Sequence, residues 1–285
     1  MQTRYACSEQ ILGGFVDIAW HDFVARQEVL VAMRFSYFGN SGWKSDFSKT
    51  KAMLFEKDRL IMRMGLLRSL PLPSLAAQTD QNFHLMVLCS YAMPEWAQTA
   101  LAELCAEVLP EGKYTVAPRR YGFAHFHLSR FLVERYQTGP AIQTVLDDDD
   151  GFSTDLIASI RREMVELPPV ADAGDMRFIS FCRGYGLDLS RKDPATFALY
   201  RHRYPYINLG LTMVADVAGK NLFSIRHRKT PQQHPCRIVE GPPMFVRSVH
   251  EANDSRVEVS ERWKPIADWR CDPTVIERFP YLPPL

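Results

Sequence analysis

The chain has 285 residues, of which 46% are hydrophobic and 24% are charged, as is usual for a globular protein with a sizeable core. Lys and Arg number 34 against 33 Asp and Glu, so the net charge is only +1. This balance gives no electrostatic basis for general nucleic-acid binding, and we predict that nucleic acid is not a partner.

Six cysteines lie apart from one another, without any Cys-x-x-Cys pair. We interpret them as reduced, mostly buried thiols rather than as disulfides or a zinc site, which indicates a reducing compartment. No apolar stretch approaches the ~20 residues that a membrane-spanning helix needs, and the start lacks the pattern of a secretory signal. We therefore predict a cytoplasmic protein without a transmembrane segment.

Short apolar stretches alternate with amphipathic ones along the first two thirds of the chain. Helical periodicity over 48–78 is interrupted by Pro71 and Pro73. The alternation predicts an α/β fold with a mainly parallel central sheet flanked by helices. The predicted strands are 28–38, 83–90, 114–120 and 141–146, and the predicted helices are 94–108, 123–137 and 153–167.

The two ends of the chain are less regular. We treat 1–27 as an N-terminal extension, in which 11–27 is either a short helix or an upstream addition, and 28–285 as a single domain. The stretch 176–189 reads as an extended, hairpin-like element. From 190 onward short strands, prolines, and basic and aromatic residues predict an irregular half packed on the same sheet.

Four consecutive aspartates, Asp147, Asp148, Asp149 and Asp150, follow the predicted strand 141–146. Ligands of open parallel sheets bind beyond the carboxyl ends of the strands. If the segment is extended, Asp147 and Asp149 point one way and Asp148 and Asp150 the other, although a shift of one residue would exchange the pairs. Two carboxylates on one face can share Mg²⁺ or Mn²⁺. A solvated acidic turn that caps the next helix is the alternative.

Basic residues elsewhere allow two interpretations each. Arg59 and Arg63 lie one helical turn apart, which fits either a bound phosphate or a salt-bridged helix face. His227 lies in the basic run Arg226–Lys229, which fits either a grip on a diphosphate or a solvated edge.

The chain resembles a known family over residues ~30 to ~256. The stretches "RFSYFG", "RLIMRMGLLRSLPLPSLAAQTDQNFHLMVLCS", "LDDDDGF" and "VRSVHEANDSR" follow one another as in the bacterial rhamnosyltransferase family, which is of the GT-A glycosyltransferase type. The resemblance implies a GT-A-like (Rossmann-like) fold, with a nucleotide-sugar-binding half over 28–189 and an acceptor-side half and C-terminal strap over 190–285.

The same resemblance implies roles for particular residues. Asp147 and Asp149 match the Asp-x-Asp pair that contacts the ribose and a Mn²⁺ or Mg²⁺ ion, with Asp150 as a third participant, and Asp148 is left facing the fold or solvent. Arg34, at the end of the first strand, is a candidate for donor contact, with a surface arginine paired with a carboxylate as the alternative. Arg63 is a second candidate. His250 matches the C-terminal histidine that lies near the metal and the diphosphate. His227 is the alternative candidate for this role.

An inverting transfer also needs a general base for the acceptor hydroxyl, for which Asp216 and Glu240 are candidates. The implied donor is a nucleotide-diphosphate sugar, such as a rhamnose donor, and the implied acceptor is a glycan or a lipid-linked glycan. Peripheral association with a membrane is compatible with such an acceptor. Two other functions remain open: a Mg²⁺-dependent nucleotidyl or phosphoryl enzyme and a non-catalytic carbohydrate-binding protein.

Overall fold

A computed structural model describes residues 18–42, 50–190, 193–250 and 263–282. Residues 18–26 are helical and form α1. The other helices are α2 (Lys51–Leu54), α3 (Lys57–Ser69), α4 (Pro71–Ala76), α5 (Glu95–Val108), α6 (Ala124–Tyr136), α7 (Leu156–Met164) and α8 (Pro273–Arg278). The strands are β1 (Val29–Phe35), β2 (Phe83–Ser90), β3 (Tyr114–Arg119), β4 (Pro140–Val145), β5 (Gly151–Phe152), β6 (Met176–Phe181), β7 (Arg183–Asp188), β8 (Ala198–Arg203), β9 (Thr212–Asp216), β10 (Cys236–Val239), β11 (Phe245–Val249) and β12 (Lys264–Pro265).

The main sheet has the strand order β10-β6-β9-β4-β1-β2-β3. Strands β1 to β4 are parallel to one another, and β6 and β10 run the same way, while β9 is antiparallel to both of its neighbours. The prediction of an α/β fold with a mainly parallel central sheet is confirmed. The predicted strands and helices of the first 165 residues agree with the observed ones to within a few residues at each end.

Side chains of the central strands are buried on both faces of this sheet. In β1, Val29, Val31 and Met33 pack into the larger hydrophobic cluster, whereas Leu30 and Ala32 pack into a second cluster on the other face. Burial on both faces explains why β1 and β2 are continuous apolar runs rather than alternating ones. Within the described ranges, no helix is long and apolar enough to cross a bilayer.

A second sheet with the order β12-β8-β7-β11-β5 adjoins the first. The predicted hairpin at 176–189 is wrong, because β6 belongs to the main sheet and β7 to the second. Only Cys182 separates these strands, too few residues for a hairpin turn, so the chain continues from one sheet into the other. The C-terminal half is also more regular than predicted, since it contributes β8 to β12.

Parts of three predictions lie outside the described residues. These are most of the N-terminal extension, the residues that follow His250, and the last three residues of the tail. Of the five cysteines within the described ranges, none forms a disulfide, and Cys89, Cys105 and Cys182 are buried, while Cys271 is exposed.

Candidate functional site

The four aspartates form the connection between the two sheets. Strand β4 ends at Val145 at the carboxyl edge of the main sheet, and β5 begins at Gly151 in the second sheet. Between them the Asp150 amide donates to the Asp147 carbonyl at 3.3 Å, which closes a turn. We call residues 147–150 the acid loop.

Because the acid loop turns, its side chains do not alternate as those of an extended segment would. Asp148 and Asp149 both accept from Arg63, so the prediction that they face opposite ways is wrong. Arg63 Nε donates to Asp148 Oδ2 at 3.2 Å, Nη2 donates to Asp148 Oδ1, and Nη1 donates to Asp149 Oδ2 at 2.8 Å. The Arg63 and Asp148 side chains are only 3% and 2% exposed, so this is a buried ion pair.

The second sheet holds the acid loop from the other side. His250, which follows β11, places Nε2 3.0 Å from Asp149 Oδ2. The Ser248 amide donates to Asp150 Oδ1 at 2.8 Å. The structure thus joins Asp149 to His250 and Asp150 to the Ser248 amide at the junction of the sheets.

Asp147 is the most exposed member of the acid loop, with 33% of its side chain exposed. Arg34 Nη2 lies 3.9 Å from Asp147 Oδ1, and the Arg34 guanidinium also donates to the Ser41 carbonyl. Its Cζ lies 4.9 Å from the centre of the Phe223 ring. Arg34 is therefore held beside the carboxylate that is most accessible to a ligand.

The carboxylates of the acid loop differ in acidity. Burial raises the pKa of Asp147, with Arg34 opposing this shift and Asp149 adding to it. Burial and repulsion from Asp149 and Asp147 raise the pKa of Asp150 well above its ordinary value. Burial also acts to raise the pKa of Asp149, but Arg63 and His250 outweigh it and hold that pKa below its ordinary value. Negative charge on Asp147 and Asp150 is therefore only partly compensated by the protein.

His227 is brought to the same edge of the main sheet by the loop after β9. The Val217 amide donates to the Gly139 carbonyl at the amino edge, and Phe223 lies by Arg34 at the carboxyl edge, so the loop crosses the sheet between them. His227 Nδ1 then lies 2.7 Å from the Tyr206 carbonyl.

Neither predicted general base lies at the acid loop. Asp216 pairs with Pro140 at the start of β4. Val145, at the end of this strand, is five residues further on, so at a rise of about 3.3 Å per residue Asp216 lies about 16 Å from the end of β4 that leads into the acid loop. Glu240 follows the edge strand β10, three strand positions from β4 and thus about 14 Å away. It forms ion pairs with Arg203 and Arg183 instead.

A cleft of about 240 Å³ opens beyond the ends of β1, β2 and β3. Three aromatic rings and two basic side chains contribute to its lining, namely Phe38, Tyr91, Tyr121, Lys51 and Arg120. Phe38 and Tyr121 lie with their ring centres 5.4 Å apart, and Lys51 Nζ lies 5.6 Å from the centre of the Phe38 ring. Flat rings and cations at this position can take a planar group attached to an anion.

Residues 28–262 match the model of the family described as "Putative rhamnosyl transferase". The chain belongs to this family. The predicted family and the predicted enzyme class, glycosyltransferase, are thereby confirmed. A search of curated proteins found no match.

One solved structure similar to this member of the family is that of S. aureus TarS. The two share 11% sequence identity with a TM-score of 0.42, over 78% of this chain and 37% of TarS. The chain therefore spans little more than a third of the length of TarS.

The residues of this family member can be compared with the needs of a divalent cation. In the part of the chain that the structure describes, no three His, Cys, Asp or Glu side chains form a ready-made metal cage. Mg²⁺ in nucleotide sites is commonly held by one or two carboxylates, with waters and substrate phosphates completing the shell. Asp147 and Asp149 supply such carboxylates at the carboxyl edge of the main sheet. The donor set therefore fits Mg²⁺ or Mn²⁺.

The aromatic cleft was missed at the sequence level, although the sequence carries a signal for it. An aromatic residue follows each of the first three strands, as Phe38, Tyr91 and Tyr121. Parallel strands end at the same edge, so side chains that follow them are brought close together. Only the strand order, with β1 next to β2 and β2 next to β3, makes these rings neighbours.

Proposed function

We propose that this protein transfers a sugar from a nucleotide-diphosphate donor to a hydroxyl group of a glycan or lipid-linked acceptor, with Mn²⁺ or Mg²⁺ held by Asp147 and Asp149. The observation that carries the proposal is the placement of these carboxylates at the carboxyl edge of the main sheet, where β4 passes into the second sheet. The name of the family favours rhamnose as the transferred sugar.

Each part of the donor has a counterpart among the described residues. The aromatic cleft suits the base and ribose, and Arg34, beside Asp147, suits the diphosphate. Ser248 and His250 hold the acid loop from the second sheet, and Asp150 and His250 are further candidates for metal contact. A bound divalent cation would neutralise the charge that develops on the departing diphosphate.

For the general base we replace the earlier candidates with Asp188. It ends β7 and pairs with Val249 of β11, the residue before His250. Its carboxylate accepts from the Ser190 amide at 3.0 Å. A carboxylate on this side could take the proton of an acceptor hydroxyl.

The test of metal-dependent donor binding is calorimetric titration of the full chain with UDP, GDP and dTDP, with and without Mn²⁺. We expect one of these nucleotides to bind with Mn²⁺ and far more weakly without it, and Asp149→Asn to lose the metal-dependent part. Asp216→Asn is the matched control, because it makes the same change at the opposite edge of the sheet. A nucleotide affinity that does not depend on Mn²⁺, or that is the same in Asp149→Asn as in the wild-type chain, would contradict the proposal.

The base is tested by Asp188→Asn. The amide oxygen of Asn can still accept from Ser190, so the fold should persist, but a proton acceptor is lost. We expect nucleotide binding to remain and sugar transfer to a glycan acceptor to fall about 10²–10⁴-fold. Transfer at the wild-type rate would exclude Asp188 from this role.

A further inference from the structure

Arg63 contacts two consecutive carboxylates of the acid loop with one guanidinium group. It is bidentate on Asp148 and donates through Nη1 to Asp149 Oδ2 at 2.8 Å. Bidentate pairs between Arg and carboxylate are geometrically specific, because the planar fork matches the two oxygens. The contact therefore fixes both the position of Asp148 and the orientation of Asp149.

The helix that carries Arg63 is firmly anchored. In α3, Leu60 and Leu67 are buried in the main hydrophobic cluster. Arg59, one turn earlier, donates through Nη1 to Ser36 Oγ at 3.2 Å and to the Leu54 carbonyl at 3.1 Å. Arg63 is thus held on a rigid element, whereas the acid loop is a turn that depends on such contacts for its geometry.

Asp149 is held from two sides through the same oxygen atom. Its Oδ2 accepts from Arg63 Nη1 and lies 3.0 Å from His250 Nε2. Contacts from α3 of the main-sheet layer and from the end of β11 of the second sheet together determine how this carboxylate is aimed. Second-shell groups of this kind commonly tune the affinity of a metal site.

We propose that Arg63 is a positioning residue that aims Asp149 at the metal and donor, and that Asp148 is its buried counter-ion rather than a metal ligand. This inference rests on the proposed function. It replaces direct phosphate binding by Arg63, because a side chain that is 3% exposed and pairs with two carboxylates would have to break both pairs to reach a diphosphate. It also gives a role to Asp148, the one aspartate of the acid loop that is not a candidate for metal contact.

The experiment measures Mn²⁺ binding by electron paramagnetic resonance in the presence of UDP, GDP or dTDP, with the thermal midpoint of unfolding measured in parallel. The variants are Arg63→Lys, Asp148→Asn and the double variant. Lys is a point charge that cannot span both carboxylates, and Asn keeps the shape of Asp without its charge. The matched control is Arg59→Lys, a buried arginine on the same helix that donates to Ser36 Oγ and to the Leu54 carbonyl.

We expect Arg63→Lys and Asp148→Asn each to weaken nucleotide-dependent Mn²⁺ binding about 10–100-fold, with the double variant little worse than either one. Arg59→Lys should lower the thermal midpoint but leave Mn²⁺ binding unchanged. A merely structural role for Arg63 predicts that the midpoint changes and the Mn²⁺ affinity does not.

Three outcomes would overturn the inference. First, unchanged Mn²⁺ affinity in Arg63→Lys would exclude the positioning role. If Arg63→Lys does not fold, unchanged Mn²⁺ affinity in Asp148→Asn would exclude it instead. Loss of nucleotide binding measured without Mn²⁺ in Arg63→Lys would instead make Arg63 a phosphate ligand. Absence of nucleotide-dependent Mn²⁺ binding in the wild-type chain would contradict both the proposed function and this inference. The wild-type measurement therefore distinguishes failure of the proposed function from failure of the positioning role alone.

Discussion

At the scale of single residues, His202 shows how the second sheet responds to pH. Its ring lies 4.4 Å from the Trp263 ring and 6.0 Å from the Phe245 ring, centre to centre, and the residue is only 9% exposed. Burial, with a smaller contribution from the charge of Arg247, lowers the pKa of His202 to about 4. The imidazole is therefore neutral in the folded protein at pH values where the unfolded chain would bind a proton.

The sign of the effect on stability follows from this lowered pKa. The contribution of neutral His202 to the free energy of unfolding is fully present above the pKa of the unfolded chain, near 6.5, and is lost as the pH falls towards 4. We predict that His202→Phe, which keeps the aromatic packing, removes about 2 kcal/mol of the fall in unfolding free energy between pH 7.5 and pH 5. Urea unfolding at both pH values measures it. Parallel pH dependence in the two proteins would show that His202 does not titrate in this way.

Two residues other than glycine adopt positive φ values near the candidate site. Ser36, directly after β1, has φ 43°, and Tyr206, before β9, has φ 59°. Such conformations cost about 1–3 kcal/mol each and persist where the surroundings enforce them. Arg59 donates to the Ser36 hydroxyl, and the Tyr206 amide donates to Ser180 Oγ at 2.8 Å. Strained backbone thus lies at the carboxyl edge, which is where the proposed site is.

At the scale of elements, α1 is attached to the main domain through Arg161 of α7. Arg161 Nη1 donates to the Gln27 carbonyl at 2.7 Å, Nη2 to the Asn82 carbonyl at 2.9 Å, and Nε to Asp80 Oδ2 at 2.6 Å. One side chain therefore joins the end of α1 to the start of β2. Asp80 also accepts from the Asn82 amide at 2.8 Å.

We predict that Arg161→Met lowers the free energy of unfolding by about 2–3 kcal/mol, because several partly buried acceptors lose a charged donor. Amide hydrogen exchange of residues 18–27 should accelerate more than that of β1. Arg162→Met is the control, since the Arg162 side chain is 61% exposed, and it should change stability by less than about 0.5 kcal/mol. Equal effects of the two substitutions would contradict the role given to Arg161.

The main-sheet elements were predictable because each carries its own signal. Strand β2 coincides with the predicted 83–90, since an apolar run of eight residues is what burial on both faces requires. The break between α3 and α4 was predicted from Pro71, which occupies the first turn of α4. The separation of β6 from β7 was not predictable, because two adjacent β-prone runs look alike whether they pair or enter different sheets.

At the scale of the whole molecule, the two halves of the chain share one sheet. Strand β9, from the C-terminal half, lies between β4 and β6 of the N-terminal half and pairs with both. The largest hydrophobic cluster likewise contains Phe152 and Phe245 of the second sheet. The boundary at 189/190 therefore separates roles in the proposed reaction rather than independently stable units.

We predict that the fragment 1–189 does not fold alone, because β4 and β6 would lose their common partner and both would become exposed edges. Circular dichroism with a thermal scan should show no cooperative transition for this fragment, whereas the full chain should show a single one. Co-expression of this fragment with the fragment 190–285 should restore the cooperative transition. A monomeric 1–189 fragment that unfolds cooperatively would contradict this account.

By itself the sequence determined the class of the fold, the position of the acid loop after a buried strand, and the resemblance to the glycosyltransferase family, because strand and helix periods and short motifs are local properties. The tertiary structure decided which side chains meet. It separated Asp216 and Glu240 from the acid loop, paired Asp188 with the residue before His250, and joined Arg63 to Asp148 and Asp149. These contacts depend on strand order and on packing between residues far apart in the chain, neither of which has a local signature.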